Sequence, residues 1–489
     1  MNFAFKTAPL AHQLRIFDRT KDTPRRMAFW DQGTGKTKLV IDTAAYLFCQ
    51  EKINAMLVVA PDGVHRNWIS DEIPKHLMSA IRPDCYCFHS SKAGTKGAAG
   101  RLMEFLRRIG QPGALSVLTI SYDGFLTKAG RAAVDAFLQR GKVLYVLDEI
   151  HRIKNHSAKR TKAILSTVNG VTYRRGLTGT PIANSPFDAY SVMRFLDLGF
   201  WKPYRLDSWT IFKHNFGIWK KLDESDDSTW APSFCVAHKN LEELNGILKK
   251  HSDRVLKDDV LDLPPKVYTR RYFQLNSEQQ RVYREIRDDF MTYLNEGADM
   301  ITAPLVIQRM VRLQQITSGY LPCEGGDPVV FLGEQNPRID LLQEVMEDVP
   351  GKSIIFCKFT KDIEAISKML QAMGRKPVTY YGKTDTDQRA ANLKEFKEGD
   401  ATDFVAQIAA ACEGLTLIQA DTVIYYNNSY NLTHRLQSED RAHRIGQTKT
   451  VTYIDLAAEG TVDEGIVEAL VSKKLVSDMV LGDGIKKWL

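Results

Sequence analysis

The chain has 489 residues, 44% of them hydrophobic and 26% charged, so it can bury sizeable cores, and its length suits two to three globular units. A formal charge of +7 is compatible with a polyanionic partner but too small at this length to demand one. Seven scattered cysteines exclude a disulfide framework and point to a reducing compartment, and no apolar run forms a secretory signal or reaches the ~18 residues of a membrane span.

Taken in chain order, short apolar segments at 26–32, 55–61, 116–122, 142–149 and 173–180 read as buried strands, with the helix-like stretch 37–50 between the first two. Cys85, Cys87 and His89 lie close together, but no second pair follows at zinc spacing, so free thiols are expected there rather than a metal centre. The glycine-containing stretch 90–101 reads as a mobile surface loop. Residues from about 190 to 262 are aromatic-rich and then charged, with a surface loop expected at 223–233. The Pro-Pro pair within 261–271 predicts a stiff extended connector. Ser277 can cap a long helix that Gly297 can stop, and 323–337 reads as a loop with a small hairpin. A second alternation then follows, with strands at 352–359, 376–382, 403–410, 422–428 and 450–458. Strands separated by helices give parallel sheets covered on both faces. The expected fold class is therefore α/β, with two parallel-sheet lobes in tandem over 1–262 and 263–489 and helical insertions at about 190–262 and 275–335.

Three motifs carry chemistry. In "DQGTGKT" (31–37), Gly33 and Gly35 let the backbone turn so that N–H groups face one point. Lys36 adds positive charge there, and Thr37 opens a helix whose dipole favours an anion. Trp30 stands where the fuller phosphate-loop pattern has a glycine. The run "VLYVLDEIH" (143–151) ends an apolar strand in two acids, a costly place for carboxylates unless cations meet them. Asp148 suits Mg²⁺, and Glu149 suits the orientation of an attacking water. In "QSEDRAHRIGQ" (437–447), Arg441 and Arg444 are spaced to share one helix face and to supply positive charge from the second lobe to a nucleotide on the first.

With these pieces the chain resembles the Swi/Snf family of helicase superfamily two, over nearly its whole length. "LAHQLRIF" (10–17) is similar to the Q motif, "DQGTGKT" to motif I, "VVAPDGVHRNWISDEI" (58–73) to motif Ia and "TISYDGF" (119–125) to motif Ib. "DEIHRIKN" (148–155) resembles motif II, "LTGTPIAN" (177–184) motif III, "LPPK" (263–266) the brace before the second lobe, and "SIIFCKFT" (353–360) motif IV. "EGLTLIQADTVIYYNNSYN" (413–431) is similar to motif V and its extension, and "DRAHRIGQ" (440–447) to motif VI. The second and sixth motifs are the most specific. The chain departs from the family pattern at Ala411, Cys412, Thr416, Asn427, Tyr430 and Leu432, all in the part of the second lobe that couples to DNA.

The resemblance implies two RecA-like lobes, with ATP and Mg²⁺ between them and double-stranded DNA across them. It implies that Gln13 reads the base; that Gly33, Thr34, Gly35, Lys36, Thr37 and Gly414 bind the nucleotide; and that Thr37 and Asp148 hold the metal. Lys36, Asp148, Glu149, Arg441 and Arg444 would be catalytic, and His151, Thr178, Thr180 and Gln437 would couple nucleotide state to lobe position. Backbone N–H groups around Thr119 and Ser121, with Lys358, Thr416 and Asn431, would face DNA phosphates, whereas Trp68 is expected to pack in the core. The expected activity is that of a DNA-stimulated ATPase that moves along duplex DNA, with a strand-separating or annealing helicase and a nucleotide-gated clamp as alternatives. A monomer acting on DNA, and on a DNA-bound protein as target, is expected inside the cell and away from membranes. The short frame around the motifs predicts a prokaryotic or viral translocase, or a motor borrowed by a partner, rather than a chromatin remodeller.

Overall fold

Apolar runs without polar alternation are satisfied only where both faces of a sheet are covered. The computed structural model describes the chain except residues 63, 222–232, 296–302, 324–328, 383, 413 and 484–489. It divides into two units, Met1–Leu261 with Leu475–Ile485, and Asp262–Lys474 with the last four residues.

The first unit is built on a seven-stranded sheet in the order β3-β4-β2-β5-β6-β1-β9, parallel throughout. Its strands are β1 (Arg25–Trp30), β2 (Ala55–Ala60), β3 (Arg82–Cys87), β4 (Ala114–Ser121), β5 (Val143–Asp148), β6 (Tyr173–Leu177) and β9 (Ser252–Val255), with β7 (Gly217–Lys221) and β8 (Ser233–His238) forming a separate antiparallel hairpin. Alternate residues feed two cores. Leu57, Val59, Tyr145 and Leu147 enter one, and Met56, Val58, Leu144 and Val146 enter the other. Each such fully buried aliphatic side chain contributes ~1.5–3 kcal/mol.

The second unit repeats the plan with six parallel strands in the order β10-β17-β16-β13-β15-β14. These are β10 (Lys266–Phe273), β13 (Ser353–Cys357), β14 (Pro377–Tyr380), β15 (Asp403–Gln407), β16 (Thr422–Tyr425) and β17 (Val451–Ala458); β11 (Tyr320–Pro322) and β12 (Val329–Phe331) make a hairpin. The α/β class with two parallel-sheet lobes is the one the sequence leads to.

Several local expectations differ. Residues 90–101 are not a loop throughout: Thr95 accepts from Ala98 N at 3.2 Å and caps the helix Lys96–Arg107, which buries Phe105 and Leu106. Its two early glycines sit where little else approaches. The Pro-Pro connector turns into β10 at Lys266, because "KVYTRRYF" offers one side to β17 while its charges stay at the sheet edge. The insertion at 190–262 is only partly helical, since its end supplies β9. The stretch 323–337 contributes only the second strand of the hairpin, the first being at 320–322. Most of the 223–233 loop and the stop at Gly297 lie outside the described residues.

The end of the C-terminal helix Val462–Leu481 groups with the first unit. There Val480 and Leu481 join a core, Asn245 Nδ2 donates to Val480 O at 2.7 Å, and Asp483 pairs with Arg254 at 2.7 Å. Arg254 also meets Asp31 at 2.9 Å, which ties β9 to the turn that follows β1.

In the second unit Asp362 is buried beside Asn427, whose Nδ2 donates to its Oδ2 at 2.5 Å. Burial pushes this carboxyl from 3.8 up to about 7, although Asn427 and Arg338 oppose the shift. The folded chain therefore holds this proton more tightly than the unfolded one. Stability falls by at most ~1.4 kcal/mol per pH unit as pH rises between those values and is flat above them. Asp362→Asn cannot ionise. It should melt above the wild type near pH 8, with the gap closing toward pH 4 in paired thermal melts; a gap independent of pH would refute the assignment.

Candidate active site

The turn after β1 is shaped by two glycines with positive φ, Gly33 at 80° and Gly35 at 85°. At Gly35 the positive φ is what requires glycine, and a Cβ there would lie 1.9 Å from Gln13 Nε2 and displace that side chain from the turn. Thr34 is buried, and its hydroxyl donates to Asp31 O at 2.7 Å. Lys36 and Thr37 open the helix Lys36–Cys49, and Lys36 Nζ donates to Trp30 O at 2.8 Å and Asp31 O at 3.1 Å. The ammonium is thereby held over the turn rather than in bulk solvent.

Gln13 lies on the same turn. Its Nε2 donates to Thr34 O at 3.3 Å and Gly35 O at 3.4 Å, and its Oε1 accepts from Leu10 N at 2.8 Å. The amide expected to read a base thus braces the phosphate loop here, alongside His12, whose Nε2 lies 2.9 Å from Thr34 O.

At the end of β5, Asp148 Oδ2 accepts from Trp68 Nε1 at 3.0 Å, and Oδ1 accepts from Glu149 N at 3.0 Å. Its backbone oxygen accepts from Tyr122 OH at 2.8 Å. Burial and the neighbouring Glu149 charge push the Asp148 carboxyl up to about 6, while Lys36 opposes them. Glu149 has a left-handed backbone, φ 52°. Burial would raise its carboxyl too, but the His151 ring, 3.3 Å from Oε2, together with Lys36 and Thr178, brings it below its ordinary value. Lys36 therefore acts electrostatically on both acids.

Thr178, just past β6, donates to Glu149 Oε2 at 3.1 Å. With its one proton so used, the hydroxyl accepts from His151 Nδ1 at 2.9 Å and from Thr180 N at 3.1 Å. Glu149, His151, Thr178 and Thr180 thus form one hydrogen-bonded cluster. The fold brings together every coupling residue expected in the first unit.

Trp68 and Tyr122 are residues whose role the sequence reading missed. Trp68 was expected to be plain core. It is buried, but a buried indole N–H needs an acceptor, and its acceptor is Asp148. The side chains of Thr119 and Ser121 are taken up inside the fold, so any phosphate contact there falls to the backbone N–H groups that were expected to make it. Both are buried, and the Ser121 hydroxyl accepts from Gly124 N at 3.0 Å as a helix cap.

In the second unit the helix Leu432–Ala442 carries Gln437 and Arg441, but Arg444 lies in the turn beyond it, so the two arginines do not share a helix face. They converge nonetheless. Arg441 Nη1 donates to Leu415 O at 2.9 Å and Nε to Gln437 O at 2.8 Å; Arg444 Nη1 reaches Leu415 O at 3.4 Å and Thr416 Oγ1 at 3.1 Å. Thr416 is thus an Arg444 partner rather than a free surface hydroxyl. Nearby Gly414 has φ 76° and open space around its Cβ position, so only its conformation requires glycine.

Asn431 also departs from the expectation, since its side chain accepts from Thr433 N at 3.0 Å as the helix cap. Lys358 Nζ binds Gln314 Oε1, and burial lowers its ammonium to about 8, so it too is engaged within its own unit.

The SNF2-related domain model matches residues 27–318, more than half of the chain. The chain belongs to the SNF2-related family. A helicase conserved C-terminal domain model matches residues 337–446. Among curated relatives, this SNF2-related chain is 28% identical over 484 residues to "Probable ATP-dependent DNA helicase CHR12" of Arabidopsis thaliana, covering 93% of this chain and 40% of that protein. It is 26% identical over 469 residues to the human "SWI/SNF-related matrix-associated actin-dependent regulator of chromatin subfamily A member 1", covering 93% and 41%. The chain thus spans about two fifths of the length of the curated relatives it matches. Among solved structures it is similar to the Sulfolobus solfataricus SWI2/SNF2 ATPase core in complex with dsDNA, at 23% identity and a TM-score of 0.41, covering 99% of this chain and 95% of that one. Among the described residues, no helix is long and apolar enough to cross a membrane.

Trp68→Phe keeps the ring packing of this SNF2-related site but leaves Asp148 Oδ2 without its indole donor. Urea unfolding should show a loss of ~1–2 kcal/mol; unchanged stability would mean that the bond contributes nothing.

Proposed function

We propose that this chain is an ATP-dependent translocase or remodeller of double-stranded DNA, using Mg²⁺ and coupling hydrolysis to movement along the duplex. The observation that carries the reading is the Glu149–His151–Thr178 cluster, set within the electrostatic reach of Lys36. A carboxylate kept ionised by a neighbouring imidazole can accept a proton from water. The same imidazole touches the threonine of the next motif, so a change at the phosphate would be felt there. Membership of the SNF2-related family and the relatives named for DNA and chromatin point the same way.

In this reading Gly33, Thr34, Gly35 and Lys36 cradle the phosphates, with backbone N–H groups and the helix dipole favouring the anion. Oxygen donors from Thr37 and Asp148 fit Mg²⁺, which would neutralise phosphate charge. Glu149 orients water, and Trp68 and Tyr122 hold Asp148 in place. Gln13 reads the base once its amide leaves the loop carbonyls. Arg441 and Arg444, gathered on the Leu415 carbonyl, are poised as a pair to meet transition-state charge, with Gly414 at the nucleotide edge and Gln437 positioning Arg441. For DNA, Lys358 is the strongest of the named side chains, because it alone among them ends in a charge suited to phosphate. Thr416 and Asn431, whose side chains bind Arg444 and cap a helix, would act through backbone groups.

Glu149→Gln should bind Mg-ATP as the wild type does yet lose at least ~100-fold in kcat, since the water loses its base. Wild-type turnover would remove Glu149 from that role. Arg441→Ala should lower kcat by ~10³-fold with little change in KM; a pure rise in KM would contradict transition-state stabilisation. To test the activity itself, ATPase rates with duplex, single-stranded DNA and RNA are compared, then triplex displacement and fork unwinding. Duplex-stimulated turnover with triplex displacement and no unwinding is expected. Unwinding would favour a strand-separating helicase, and absent turnover a clamp.

A further inference from the structure

Strands β2 and β3 flank β4, so their carboxyl ends emerge on one edge of the sheet about 10 Å apart. The chain closes that gap in two ways. After β2, a short helix, Val64–Asn67, packs over the end of β4 and carries His65. After β3, which ends in Cys87, the backbone turns and presents His89. One ligand atom from each of His65, Cys87 and His89 lies within 4.8 Å of the other two. The two imidazole rings stand 6.3 Å apart at 62°. Cys85 lies two residues earlier on the same strand, and so on the same face as Cys87, but it is not among the three residues whose ligand atoms converge. The third member comes from 22 residues upstream of Cys87.

His65 is the informative member. Its side chain is 1% exposed, and its Nδ1 lies 3.4 Å from Pro61 O. That leaves Nε2 buried with no hydrogen-bond partner among the described residues. An unmet buried polar atom of this kind costs ~1–3 kcal/mol. A backbone carbonyl on one ring nitrogen with the other nitrogen bare is how a metal-binding histidine is oriented. Cys87 and His89 are only partly buried, which leaves an entry path.

We propose that His65, Cys87 and His89 form a three-ligand centre for a borderline-soft divalent cation of the zinc class. Two imidazoles and one thiol select such a cation over Mg²⁺ or Ca²⁺, which prefer oxygen. Tetrahedral ligation needs the donor atoms ~3.3–3.5 Å apart, so the widest-spaced pair would close by up to ~1.5 Å. The fourth position is left to water or to the exposed Asp62, whose Oδ1 is 3.8 Å from the His65 ring. Such an ion would staple the end of β3 to the segment after β2. That segment continues directly into Trp68, which holds Asp148, so the metal would stiffen the support of the acid pair. The inference does not depend on the nucleotide reading.

The test uses the full chain, expressed with zinc in the medium and purified without chelator. Elemental analysis should find about one zinc per chain. After chelation, cobalt(II) added to the chain should give a thiolate-to-metal charge-transfer band with the visible spectrum of a tetrahedral ion. Cys87→Ser and His65→Gln should each lower bound zinc at least ~10-fold, while Cys235→Ser keeps it. A folded wild-type chain without zinc that gives no charge-transfer band with cobalt would overturn the proposal. So would a Cys87→Ser chain that retains its zinc. Should the variants fail to fold, the cobalt spectrum of the wild-type chain decides by itself.

Discussion

Two adjacent carboxylates at the end of a fully buried strand set the terms for the first unit. Neither can be left unmet at such a place, and each is met differently. Asp148 receives an indole N–H and a backbone N–H yet stays hard to ionise, because burial and Glu149 both work against it. Glu149 takes a hydroxyl and an imidazole and ionises readily. The two environments push the proton affinities of neighbouring acids apart, which is how adjacent carboxylates come to differ in behaviour. The surrounding fold follows from the need to meet both acids. Trp68 arrives from the segment after β2, Tyr122 from the end of β4, and Thr178 from the end of β6, so neighbouring strand ends converge on one point.

The second unit solves a comparable problem with charge. Arg435 is buried in the helix that bears Gln437 and Arg441. It meets Glu439 at 2.9 Å, Asn428 at 2.8 Å and Asp455, and lies 3.6 Å over the Tyr425 ring. Glu439 in turn accepts from Tyr268 at 2.7 Å and pairs with Lys266 at 3.3 Å. Such a network costs desolvation and is worth little as net stability, but it fixes the rotation of the helix. That rotation sends Arg441 to Leu415, where Arg444 arrives from the turn beyond. Asn427, one of the departures from the family pattern, has a related explanation. It faces the buried Asp362, and an aspartate there would set two carboxylates together, whereas the amide donates instead.

What the sequence determined by itself was periodicity and local chemistry. Strands buried on both faces must be continuously apolar, so β1, β2, β4, β5 and the inner strands of the second sheet were legible, and with them the parallel α/β class. Gly33, Gly35 and Lys36, and the acids ending β5, could be read because their chemistry is local to a few residues. Tertiary structure decided whatever depends on a partner far along the chain. The edge strands β3, β9 and β10 carry charge or proline and lack an apolar run, so only their neighbours make them strands. Trp68 looked like core until Asp148, 80 residues on, proved to be its acceptor. Only the fold shows that the side chains of Thr119, Ser121 and Asn431 are occupied by burial and helix capping. Cys87 and His89 looked like stray ligands until the sheet order brought His65 beside them. Sequence spacing states which side chains are near in the chain, whereas strand order states which are near in space, and a site assembled at strand ends depends on the second.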